Sequence, residues 1–388
     1  FRVSNVQVNG AASRTEEKGP FLRIYLNEIL RPQRKAVIEF DFVASLPPQR
    51  ATKDLFTEAM DELLRILKLE NSSTQDYGVF GSSKDILNLG LWYAALAKYE
   101  ESGWDEQEYS GIGDVSYFDP SDFQVRITAP ANYKVVTTGS IVKRIPSKQG
   151  KIVLYSQSKM TRDFEVELSA RFEELTRIQN RVIVRSFFLP EHAESGKRVL
   201  DSAVQALEYY EKNFGPYPYT ELDVVEAPLY GGAGGVEFPG IVTISSMLYR
   251  DVTPDAQDDL LKKLIADNPT FDQLIEFVVA HEVAHQWWNA VVGSNSKQFP
   301  FIDEAMANYS AILYFEHYYG RQAAENQMAL QMKVNYQLHR LLGGSDQPVQ
   351  QPASSFKGAL EYSAIVYGKG ALYFDHLRSL IGDAAFFA

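Results

Sequence analysis

Near residue 178 the hydrophobic pattern of this chain changes period, from two to 3.6, and that switch restricts the fold more than any other feature. Before it, apolar side chains alternate. AVIEFDFVAS sets Ile38, Phe40 and Phe42 on one face and Glu39 and Asp41 on the other. FLRIYLN does the same with Leu22, Ile24 and Leu26, and FQVRITAP with Phe123, Val125 and Ile127. Further strand-like runs cover 133–142, 151–156, 164–172 and 181–188. Short alternating runs between turn residues predict an antiparallel β-sandwich-like domain over 1–178, with one helix at 54–67 inside it. Beyond the switch, Val199, Ala203, Leu207 and Tyr210 form one helical face, with Ser195 as N-cap and Gly215 as stop. Helical patterns recur over 271–292 and 303–319, a polar loop covers 343–355, and a last helix follows Tyr367. The expected fold is α+β and multidomain: a β domain over 1–178, then a mostly helical domain over 179–388.

Composition narrows the function. A formal net charge of -12 argues against nucleic acid as a partner. The chain has no cysteine, so disulfides and thiolate ligands are excluded and any metal must be held by histidine and carboxylate. The same absence favours an extracytoplasmic compartment slightly over the cytoplasm. No apolar run approaches the length of a transmembrane helix. FRVSNVQVNG reads as the interior of a β domain and AAFFA as a cut helix end, so the chain is expected to be a piece of a longer protein, truncated at both ends.

The chemistry centres on HEVAHQWW, residues 281–288. On a helix, His281 and His285 share a face, and Val278, Ala284 and Trp288 make that face apolar. Two buried neutral imidazoles are unfavourable unless something satisfies them, and Zn2+ at about 2.0–2.1 Å from each would do so. Glu282 lies beside the pair, placed to take a proton from a metal-bound water. A catalytic zinc needs a third protein ligand. Glu304, nineteen residues after His285, can supply it from a second helix, FPFIDEAMANYSAILYF. Glu304 could equally be a carboxylate favoured by a helix N-terminus, a role that Asp303 fills as well.

HExxH followed by eighteen residues and a glutamate resembles the gluzincin metallopeptidases of the M1 aminopeptidase family, and HEVAHQWWNAVV and FIDEAMANY are similar to that family's zinc helix and third-ligand helix. The resemblance implies one zinc per chain, held by His281, His285 and Glu304, with Glu282 as general base. GGAGGVEFPGIVTISS stands where the family carries a Gly-Ala-Met-Glu-Asn strand; here the glutamate is kept as Glu237, but alanine, methionine and asparagine are not. In the family that glutamate pairs with the substrate's free α-amine and the glycine-rich backbone hydrogen-bonds the substrate, which carries over to Glu237, Gly234 and Gly235. EYSAIVYGKGALYF is similar to the segment holding the family's transition-state tyrosine, which falls on Tyr367 rather than on Tyr362.

The resemblance implies a saddle-like β domain lacking its first strands and a thermolysin-like catalytic domain cut after the tyrosine helix, without the family's C-terminal helical domain. The segment 252–271 looks like an insertion, and SGWDEQEYSGIGD (102–114) has no assigned chemistry. The family's N-terminal-domain Gln or Glu near the amine has no identified counterpart. His192, His317, His339 and His376 lack partners at ligand spacing and read as surface or satisfied core residues. The expected function is a zinc aminopeptidase acting on peptides with a free N-terminus. The alternatives are a related zinc hydrolase, either an endopeptidase or an epoxide hydrolase, and a catalytically silent peptide-binding scaffold.

Overall fold

The computed structural model describes residues 1–48, 77–114, 117–231, 233–249 and 273–388; the helix expected at 54–67 and the 252–271 segment lie outside them. The first part is built from small antiparallel sheets. Lys151–Thr161 is the centre of one, between Ser121–Pro130 and Ser140–Pro146. A second runs in the order Lys134–Thr137, Val166–Ser169, Leu87–Leu89, Phe80–Ser82. Leu154, Phe164, Val166 and Leu168 fill the core between these two sheets.

The run expected as one strand over 133–142 is two strands in different sheets, because the chain breaks at Gly139. There φ is +75° and a Cβ would stand 2.2 Å from the Gln157 carbonyl oxygen, so only glycine permits the crossing.

The second part opens on a mixed five-stranded sheet. Its strands are β1 (Glu173–Gln179), β2 (Val182–Phe188), β3 (Glu221–Ala227), β4 (Gly235–Phe238) and β5 (Ile241–Ser245), in the order β1-β2-β3-β5-β4. The β2–β3 and β3–β5 pairs are parallel and the outer pairs antiparallel. The change of period at residue 178 therefore falls inside β1. Among the described residues, β4 is an edge of the sheet.

Two helices cover the sheet, α1 (Ala193–Phe214) and α2 (Leu274–Ala284), and α3 (Phe301–Tyr319) packs against α2. The predicted stripe of α1 is the buried one, with Val199, Ala203, Leu207 and Tyr210 all fully enclosed. Ser195 is not its N-cap. A 3-10 turn over Pro190–His192 starts the helix earlier, at Ala193, and Ser195 Oγ donates to the Tyr249 carbonyl at 2.8 Å.

Helix α2 stops at Ala284 instead of running to 292. The amides of Trp287 and Trp288 both return to the Ala284 carbonyl, at 2.9 and 3.1 Å, and close the helix with a tight turn. After α3 the chain continues through Arg321–Met328 and Val334–Leu341, helices the sequence pattern did not reveal, joined by a π-turn at Ala329–Lys333. One apolar core joins β2, β3 and β5 to α1, α2 and α3. A second cluster sets Ile86 and Val136 of the first part against Phe187, Phe238 and Ile241 of the second, so β4 is seated against the first part of the chain.

Candidate active site

Helices α2 and α3 bring three donor atoms to one point. His281 Nε2 and His285 Nε2 are 3.1 Å apart, and Glu304 Oε2 stands 3.4 Å from the first and 3.3 Å from the second. Tetrahedral zinc bonds of about 2.0–2.1 Å put neighbouring ligand atoms about 3.3–3.4 Å apart, so the cradle has the size of the ion. The donor chemistry agrees. His285 Nδ1 faces the Trp288 carbonyl at 2.9 Å, a contact in which the ring nitrogen donates and leaves the Nε2 lone pair facing inward. Glu304 Oε2 is buried without a hydrogen-bond partner. Lone pairs converging in a dry site are unfavourable until a cation sits among them. The helix-terminus role that Glu304 might have filled belongs to Asp303, whose carboxylate accepts from Ser296 Oγ at 2.6 Å and from the Glu304 amide at 2.8 Å.

Glu282 and Glu237 flank the centre, with a carboxylate oxygen of each within 4.8 Å of a His285 ring nitrogen. Glu282 is buried, and its Oε2 has no hydrogen-bond partner. Its other side rests on bare backbone: a Cβ at Gly235 would stand 2.6 Å from Glu282 Oε1 and Cγ. Gly234 is less demanding, since a Cβ there would meet side-chain methyls of Val278 at 3.2 Å and Leu248 at 3.9 Å. Glu237 lies on β4, and its Oε1 accepts from Asn289 Nδ2. Gln286, in the turn that closes α2, fixes this edge strand to that helix, accepting from the Gly240 amide at 2.8 Å and donating to the Phe238 carbonyl at 2.9 Å. The sequence reading singles out His285 and Trp288 around Gln286 but not Gln286 itself.

Tyr367 enters from a π-helical turn, Ser363–Lys369, that precedes the helix Gly370–Ile381. Its hydroxyl donates to Glu304 Oε1 and its ring stacks on His281 at 5.8 Å. The wide turn is also where Asn308 Nδ2 donates to the Tyr367 carbonyl at 3.0 Å, which ties α3 to the tyrosine. Tyr362, the competitor in the sequence, packs edge-on against Tyr367 at 5.8 Å, and its hydroxyl is buried without a partner. Asp114 reaches the same neighbourhood from the stretch to which the sequence assigned no chemistry; its Oδ2 is buried and unpartnered. Nothing in its local pattern marks it.

The electrostatics are those of a site with an excess of buried carboxylates. Burial pushes the Glu282 carboxyl well above its ordinary range, and Glu237 and Glu304 add to the shift. Burial raises Glu237 as well, with Glu304 contributing. Burial would also raise Glu304, but the two imidazoles hold it down at about 2. Burial works to lower the His285 imidazole, yet Glu237, Glu304 and Glu282 together carry it well above the usual histidine range. His281 is lowered by burial, with Glu304 opposing. A divalent cation would answer the same excess of negative charge that raises His285.

His376 is exposed, and the other three histidines have ordinary partners. His192 Nδ1 meets Glu226 Oε1 at 2.9 Å, His339 Nε2 meets the Ser345 carbonyl at 3.0 Å, and His317 packs on Tyr209 and Tyr318.

Residues 198–388 match the Peptidase family M1 domain. The chain carries a family M1 peptidase domain. The M1 domain and the strands before it are similar to Aminopeptidase M1-B of Oryza sativa subsp. japonica, 23% identical over 392 residues, covering 100% of this chain and 41% of that protein. Aminopeptidase N of Lactobacillus delbrueckii subsp. lactis is 29% identical over 219 residues, 54% of this chain and 24% of its own length. The chain thus spans less than half of either relative. The fold is similar to that of a crystal structure of an M1 zinc metallopeptidase from Deinococcus radiodurans, with a TM-score of 0.59 and 18% identity, over 100% of this chain and 74% of that one. That likeness covers the β-rich first part and the M1 domain together. Among the described residues, no helix is long and apolar enough to cross a membrane.

Proposed function

We propose that the protein is a zinc aminopeptidase that binds one zinc per chain through His281, His285 and Glu304 and removes residues from the free N-termini of peptides. The observation that carries this reading is the convergence of three inward-facing donor atoms at 3.1 to 3.4 Å, with an unpartnered Glu282 oxygen beside them. Zinc, when bound, supplies a Lewis acid for the scissile carbonyl and brings the pKa of a coordinated water towards about 7.

The chain's own residues do the rest. Glu282 takes a proton from the attacking water and passes it to the leaving amine. The Tyr367 hydroxyl turns from Glu304 Oε1 to donate to the oxyanion that develops at the carbonyl. The edge of the sheet at Gly235 of β4 and the preceding Gly234, with no strand paired outside it among the described residues, offers backbone groups to an extended peptide. Glu237, on the same strand, pairs with the substrate's α-ammonium and so fixes cleavage one residue from the end.

Comparing a peptide with its N-acetylated form on the parent and on Glu237→Ala tests the assignment. The acetylated peptide should be a poor substrate of the parent. The variant should lose most of its kcat/KM for the free peptide, by about 2–5 kcal/mol, the effect of leaving one member of a buried charge pair alone. An endopeptidase would cleave the acetylated peptide well and be nearly indifferent to the substitution.

A further inference from the structure

We propose that Asn289 is a positioning residue for Glu237, held in place by Arg162 from the first part of the chain. The inference rests on the reading of Glu237 as the group that receives the substrate's amine.

Asn289 lies four residues beyond His285, where the chain leaves the zinc helix. Its Nδ2 donates to Glu237 Oε1 at 2.5 Å. Its backbone is unusual: φ is +139°, a region that side chains other than hydrogen rarely occupy. Glycine would sit there without strain, so an asparagine points to work done by its side chain. The strained peptide is gripped from outside. Arg162 Nε donates to the Asn289 carbonyl at 3.0 Å, and Nη1 of the same guanidinium donates to the Phe118 carbonyl at 3.1 Å. The guanidinium also lies flat on Gly293, where a Cβ would stand 2.2 Å from Arg162 Cζ. Arg162 directly follows the strand Lys151–Thr161, so the first part of the chain reaches across to hold the exit of the zinc helix.

The consequence for Glu237 is orientation. Its carboxylate has an oxygen within 4.8 Å of a Glu282 oxygen and a His285 ring nitrogen, close enough to turn inward and compete for the centre. A donor fixed on Oε1 pins that oxygen and leaves Oε2 to meet an incoming ammonium. Asn289 therefore sets the affinity and selectivity for a free N-terminus, and the docking of the first part of the chain sets Asn289.

The test is Asn289→Gly, a variant that suits the backbone and removes only the amide. On the zinc-loaded protein, kcat and KM are measured for alanyl-alanyl-alanyl-alanine and for its N-acetyl form, alongside zinc content and melting temperature. A merely structural role predicts a protein at least as stable with the parent's KM. The positioning role predicts a KM for the free peptide raised roughly tenfold or more, the effect of losing a hydrogen bond to a charged group, with a much smaller change in kcat and zinc content intact. Arg162→Lys, which cannot hold both carbonyls in the same way, should shift the same KM in the same direction by less. If Asn289→Gly keeps the parent's KM and its preference for the free peptide, the proposal is wrong and the aminopeptidase reading stands. If the parent cleaves both peptides equally, the aminopeptidase reading fails and takes the proposal with it.

Discussion

The Glu282 side chain lies against the bare α-carbon of Gly235, with no room for a methyl group between them: a Cβ there would stand 2.6 Å from Glu282 Oε1. The first residue of β4 and the residue after His281 are thus fitted to each other across the site. Gly235→Ala should displace the carboxylate. A misplacement of about 1 Å in a catalytic group can lower the rate on the order of 10²-fold. We expect a loss of that size in kcat with zinc content unchanged, checked by steady-state kinetics and metal analysis of one preparation. Gly234→Ala, facing methyls of Val278 at 3.2 Å and Leu248 at 3.9 Å, should lose far less.

Glu282→Gln keeps the shape of the side chain and removes its ability to accept a proton. Activity should fall by about 10²–10⁴-fold, the usual contribution of a general base, with zinc retained. Substantial turnover by this variant at saturating substrate would take Glu282 out of that role.

Tyr367→Phe should act on kcat and leave KM nearly unchanged, since its hydroxyl matters mainly once the oxyanion forms. Losing one such donor lowers the rate by about 10²–10³-fold. Tyr362→Phe is the control, because that hydroxyl is buried beside Tyr367 without a partner. A larger kcat loss at 362 than at 367 would reverse the assignment.

Away from the site, Asp163 predicts a pH effect on stability. Burial raises its carboxyl to about 6, against hydrogen bonds from the Phe164 amide and Tyr93 that pull the other way. The folded state therefore holds a proton that the unfolded chain has already lost. Stability should fall as pH rises from about 4, near the unfolded value, through about 6, and then level off. Asp163→Asn should flatten that segment of the denaturation profile. An unchanged profile would mean that Asp163 is ionised throughout the range.

That His281, His285 and Glu304 come together with Glu282 beside them was legible in the sequence, because a helix places i and i+4 on one face and α3 follows α2 closely in the chain. The strands of the first part were legible where alternation is clean, as at Phe123, Val125 and Ile127. Other features left no local trace. Strand β3 is buried on both faces, so ELDVVEA shows no alternation. The π-turn at Ala329–Lys333 adds residues to the helical period and hides the helices on either side of it. Gln286 bonds Gly240 and Asn289 bonds Glu237, 46 and 52 positions away, and Asp114 feels the charges of Glu237 and Glu304 much farther along the chain. A motif read along the chain has no means of finding such pairs.

The central claim is that His281, His285 and Glu304 together hold one zinc ion. Elemental analysis after removal of adventitious metal, combined with a zinc-binding titration of the parent and of Glu304→Ala, tests it most directly. The account predicts near-stoichiometric zinc in the parent and a severe loss of affinity in Glu304→Ala, because the remaining imidazoles leave the centre one protein ligand short. Full zinc occupancy with parental affinity in Glu304→Ala would contradict it.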